Sequence, residues 1–119
     1  MIEKIVYDYL NEYMNVPVFM EMPAIPSEDY TEIPQEYILI EKVGGDITDH
    51  IRSATIAIQS YSTKSLYNAA ALNEELHGVM DAMADRLGTV SQSKMTADTN
   101  FTDTSTKRYR YQCLYSISY

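Results

Sequence analysis

The chain has little with which to do chemistry. Among 119 residues there is one cysteine (Cys113), no tryptophan, two histidines, and nine lysines and arginines against seventeen aspartates and glutamates. A single thiol excludes an internal disulfide and any zinc site built on several cysteines. The net charge of −8 argues against a dedicated nucleic-acid binder, because such proteins draw most of their affinity from cations that neutralise phosphates. No apolar run approaches the ~20 residues of a membrane helix. The N-terminal MIEKIVYDYL has an early acid and no long apolar segment, so it does not read as a secretion signal, and the chain reads as cytosolic when made. Neither GxxxxGK[ST] nor GxGxxG occurs, and no HExxH or GxSxG accompanies the histidines or serines.

What is present is the composition of one folded domain spanning residues 1–119, with 45% hydrophobic and 22% charged residues. Eleven tyrosines and seven methionines stand out. Tyrosine joins a large apolar ring to a polar tip, which suits contact surfaces.

Residues 2–14 place Ile2, Ile5, Val6, Tyr9, Leu10 and Tyr13 on one helical stripe, and Pro17 closes that helix. VPVFMEM (16–22) reads as a short strand, with Pro17 best placed at its start or at a sheet edge. PAIPSEDYTEIPQ (23–35) has neither period and reads as an exposed loop. Residues 36–42 and 51–61 alternate as strands. Ile38 and Ile40 share a face opposite Tyr37, Leu39 and Glu41, and Ala54, Ile56 and Ile58 share one opposite Ser53, Thr55, Gln59 and Tyr61.

A long helix is predicted over 64–87, with Ala69, Leu72, Leu76, Val79, Met80, Met83 and Leu87 as its stripe and Asn73, Glu74, His77, Asp81 and Asp85 off it. Ser62 or Thr63 is its expected N-cap, and Gly88 its left-handed C-terminal residue. A weakly buried, threonine-rich strand over 89–101 follows, then a turn. The last strand, 107–119, alternates Tyr109, Tyr111, Cys113, Tyr115, Ile117 and Tyr119 against Arg108, Arg110, Gln112, Ser116 and Ser118. The fold class expected is α+β: an antiparallel or mixed sheet with two helices packed on one face.

Candidate chemistry is sparse. Gly44-Gly45-Asp46 follows a strand, as a phosphate loop does, but leads into another strand and lacks the lysine; a projecting hairpin turn, longer than two residues, is the reading. Asp46, Asp49 and His50 match no metal-loop spacing and read as a solvated polar tip. Glu74, His77 and Asp81 fall near one another on a helix and read as surface charge pairing. Cys113, set among tyrosines, reads as a buried structural thiol. The tyrosine face reads first as core against the helices and second as a subunit interface. No catalytic set, metal site or cofactor site is expected.

The run YILIEKVGGDITDHIRSATIAIQSYSTKSLYNAAALNEELHGVM (37–80), followed by SKMTADTNFTDTSTKRYRYQCLYSI (93–117), resembles the small tail-completion proteins of long-tailed phages and prophages of Gram-positive bacteria. The likeness extends over residues 1–119 and is best at 36–80 and 100–116. It implies a non-enzymatic tail terminator, or tail-to-head joining protein: a ring, commonly of six copies, that caps the tail tube and offers a docking surface for the head. The implied partners are the chain itself, the major tail tube protein and a head-completion or connector protein. DNA passes through the ring without specific binding, and an acidic lumen would repel it. The implied location is the head-proximal end of the tail in the virion, after assembly in the host cytoplasm. A connector adaptor is the alternative, and a small metal-binding or enzymatic domain a more distant one. Contacts to neighbours are expected from Tyr30 in the proline-rich loop, from Gly44, Gly45, Asp46, Asp49 and His50 at the hairpin, and from Arg108 and Arg110 on the last strand.

Overall fold

The computed structural model describes residues 2–21, 35–48, 51–100, 102 and 108–119. Helix α1 (Ile2–Tyr13) is followed by strands β1 (Val18–Phe19), β2 (Glu36–Thr48) and β3 (Ile51–Ser62). Helices α2 (Leu66–Asp81) and α3 (Met83–Arg86) come next, and β4 (Gln92–Asn100) and β5 (Tyr109–Ser118) complete the chain. The strands form one mixed sheet in the order β1-β2-β3-β5-β4, the α+β class expected. Only β1 against β2 is parallel; the other pairs are antiparallel. β1 starts directly after Pro17, and the Ile38 amide donates to the Pro17 carbonyl at 2.9 Å, so the proline sits at an edge as its missing donor requires.

The period-two strands and period-3.6 helices bury their matching sides against each other. Ile38, Ile40, Ala54, Ile56, Ile58, Cys113, Tyr115 and Ile117 face Ile2, Val6, Tyr9 and Leu10 of α1 and Leu72, Leu76 and Met80 of α2 in a single core. α1 covers the β1–β2 side and α2 the β3–β5–β4 side. The helix ends are tied together by Arg86, whose Nη1 donates to the Tyr9 hydroxyl at 3.4 Å and whose guanidinium lies 4.3 Å from the Tyr13 ring centre. Tyr9 in turn donates to the Val79 carbonyl, joining α1 to α2.

Several local expectations are corrected. The helix expected over 64–87 is interrupted at Ala82, and nothing in the structure explains the break. Its cap is Ser65, not Ser62 or Thr63: the Ser65 hydroxyl accepts the Asn68 amide at 3.0 Å. The Ser62 hydroxyl is instead taken by the Lys64 amide at 3.1 Å, and the Thr63 amide donates to the Gln35 carbonyl. Ser65→Ala is expected to cost about 1 kcal/mol, while Thr63→Ala costs little. Thermal melts that rank the two the other way would refute the cap assignment. Gly88 does not take a left-handed backbone, because Leu87 before it is already extended.

The largest correction concerns Gly44-Gly45-Asp46. These residues are not a hairpin tip. β2 continues through them to Thr48, which pairs with Ile51, so the strand runs on past the positions expected to turn. Neither glycine has a left-handed backbone. What interrupts the strand is a bulge at Val43, between the Lys42–Ile56 and Gly44–Thr55 pairs. The strand expected over 89–101 and its weak burial are both found in β4, which has a similar bulge at Thr96.

Candidate functional site

Both faces of the sheet are used, and the face without helices carries the polar chemistry. Alternation sends Tyr37, Gln59, Tyr61, Arg110 and Gln112 away from the isoleucine core. Pairing of Tyr37 with Tyr61, Tyr61 with Arg110, and Gln59 with Gln112 brings them together. The Tyr37 and Tyr61 rings stack with centres 4.6 Å apart and planes 10° from parallel, and Phe19 meets Tyr37 edge-on at 5.8 Å. These are favourable aromatic geometries.

The polar tips are linked in one direction. Arg110 Nη1 donates to the Tyr61 hydroxyl (3.1 Å), which donates to Gln59 Oε1 (2.8 Å), while Gln59 Nε2 donates to Gln112 Oε1 (3.2 Å). Bonds in such a series polarise one another, which favours a single arrangement of the row. Tyr37 and Tyr61 are 1% and 3% exposed, so the stacked rings are buried rather than an open tyrosine surface, while Arg110 and Gln112 at the ends of the row are half-buried. Burial pushes the Tyr37 phenol above its ordinary value, with Arg108 pulling the other way.

A second polar cluster lies under α2. Asn73 is buried, contrary to its expected place off the stripe, and donates to Asp98 Oδ1 of β4 at 2.9 Å. His77 Nε2 lies 3.6 Å from the same oxygen. The Tyr115 hydroxyl donates to Asp81 Oδ1 at 3.2 Å. Glu74, His77 and Asp81 therefore do not act as one set: His77 turns to β4, Asp81 to β5, and Glu74 is exposed. Cys113 is fully buried and its thiol donates weakly to the Ile58 carbonyl at 3.6 Å. Burial, with Asp98 and Asp81 adding to it, pushes the thiol up to about 12, so it is no nucleophile at neutral pH. Among the described residues, no three His, Cys, Asp or Glu side chains gather to hold a metal.

The contact residues expected from the sequence separate into two groups. Gly44, Gly45 and Asp46 occupy consecutive positions in β2, paired with Thr55, Ala54 and Ser53. Arg110 pairs with Tyr61 at the other end of β3, roughly 20 Å away at ~3.3 Å per residue, and Arg108 lies just before it. Tyr30, Asp49 and His50 lie outside the described residues. Of the C-terminal tyrosines only Tyr115 is fully buried; Tyr109 and Tyr111 are half-exposed.

Sequence patterning missed the Tyr37–Tyr61–Gln59–Gln112 row and the Asn73–Asp98 bond. The parity of the first four was legible, but the β3–β5 register that joins them was not. It also missed Tyr67, 78% exposed on the outer side of α2, beside shallow depressions of about 340 and 380 Å³ that meet at Ala71. Among the described residues, no helix is long and apolar enough to cross a membrane. No protein-family model matches the chain, and no curated protein matches its sequence.

Proposed function

We propose that the chain is a structural tail-completion protein that assembles head-to-tail into a ring, caps a phage tail tube and meets the head-proximal connector. The observation that supports this reading best is that the sheet ends in two different exposed edges, on opposite sides of the molecule. One is β4, where every residue is exposed or half-exposed. The other is β2 beyond its short pairing with β1 at Ile38 and Leu39, where residues 41–45 are exposed and no further strand pairs among the described residues. A ring needs two unlike, complementary patches on each subunit, and two unlike edges meet that requirement. The resemblance over 37–80 and 93–117 supplies the biological setting. Among the described residues, the Tyr37–Tyr61–Gln59–Gln112 row and the Asn73–Asp98 bond are structural contacts, and the −8 charge suits a channel that DNA traverses without being gripped.

Electron microscopy of tail tubes grown with and without the protein tests this. Rings at tube ends and tubes of arrested length are the expected outcome. Continued growth with the protein in excess, or capture of the connector but not of the tube protein in pull-downs, would refute the capping role.

A further inference from the structure

We infer that the contact between neighbouring copies is an antiparallel strand pairing, in which the segment of β2 after its bulge (44–48), unpaired on its outer side among the described residues, lies against the first half of β4 (92–95) of a second copy. The inference rests on the ring reading above and supplies its interface.

Two observations carry it. The first is direction. β2 is antiparallel to β3, β3 to β5, and β5 to β4, so β2 and β4 run in opposite directions at the two sides of one sheet. Copies placed side by side and related by rotation about an axis along the strands keep these directions. Such a repeat brings an ascending β2 beside a descending β4 with no inversion of either subunit, and keeps all helices on one side.

The second is level. Lys94 pairs with Ser116, Ser116 with Thr55, and Thr55 with Gly44, so Lys94 and Gly44 are the two ends of one row across the sheet. Gln92 and Asp46 end the row two positions on, through Ser118 and Ser53. Lys94, the single cation of β4, thus meets a β2 segment whose sequence carries Asp46. Bulges and edge lysines normally discourage indiscriminate pairing. Here the bulges at Val43 and Thr96 fall at nearly the same height and leave the segments 44–48 and 92–95 regular.

Cross-linking of the full chain reads this directly. In the double variant Gly44→Cys/Lys94→Cys the two positions of one copy are three strands apart, about 14 Å, which no disulfide spans. Between copies they are adjacent, and Gly44→Cys/Gln92→Cys covers a two-residue slide. Under mild oxidation, with tail tube ends present, non-reducing gels should show a ladder of covalent multimers that neither single variant gives. Buried Cys113 stays silent.

A ring that forms without a ladder from either pair overturns the strand pairing and leaves the capping function standing. A chain that stays monomeric beside uncapped tubes overturns both.

Discussion

Tyr115→Ala is expected to lower stability by about 3–5 kcal/mol, the range for deleting a large buried aromatic ring. Tyr115 is fully buried at the centre of the sheet, between Cys113 and Ile117 on β5 and across from Ile56 on β3. Its ring fills the space under α2, and its hydroxyl reaches Asp81. Alanine leaves a cavity that rigid strands on either side cannot close, since β5 is held by neighbours on both edges. Domains of this size have roughly 5–15 kcal/mol in all, so the variant should sit close to its unfolding transition at physiological temperature. Tyr115→Phe separates ring from hydroxyl: it removes one hydrogen bond to an aspartate at the helix surface and should cost about 1 kcal/mol. Urea denaturation of both variants measures the difference. A loss below 1 kcal/mol for alanine would mean that α2 and β5 are not packed as described.

The second large effect is on alkaline stability. Burial raises the Cys113 thiol from 9.0 to about 12, and raises the phenols of Tyr115, Tyr37 and Tyr9 as well. All four groups are more acidic in the unfolded chain than in the folded one. Below about pH 9 both states hold these protons and the fold keeps its full stability. As pH rises from 9 toward 12, the unfolded chain releases the Cys113 proton while the fold retains it, so stability falls. The slope is about 1.4 kcal/mol per pH unit for each such group, on the order of 4 kcal/mol over the Cys113 window. Urea titrations at pH 8, 9.5 and 10.5 should show the decline, and Cys113→Ala should remove one group's share of the slope. Stability that is level across this range in the natural chain would contradict the burial of these groups.

The two layers were legible in the sequence because their signals are local. Ile38–Ile40 and Ala54–Ile56–Ile58 alternate without interruption, and the 69–83 stripe keeps its period through the break at Ala82. The turn was misplaced because glycine pairs are read as positive-φ positions, whereas Gly44 and Gly45 serve an extended strand. Asn73 was set on the surface because the amide group suggests solvent; its partner, Asp98, is supplied by a strand 25 residues later. The Arg110–Tyr61–Gln59–Gln112 row depends on a β3–β5 register that no local pattern encodes. The Asn73–Asp98 bond and the Arg110 row are long-range pairings, the first under α2 and the second on the face that the helices leave open.

That same pairing has a kinetic consequence. β2–β3 and β4–β5 are each joined by adjacent chain, so each can close early at small entropic cost. The two halves meet only where β3 lies beside β5, with Ile58 opposite Cys113 and α2 threaded between them in sequence. Union of the halves carries the largest loop-closure cost and should set the folding rate. Ile58→Val should therefore slow refolding in a chevron experiment, whereas Ser65→Ala should mainly speed unfolding. The reverse partition would place the nucleus in α2, and the seam between the two hairpins would then be the last part of the molecule to form.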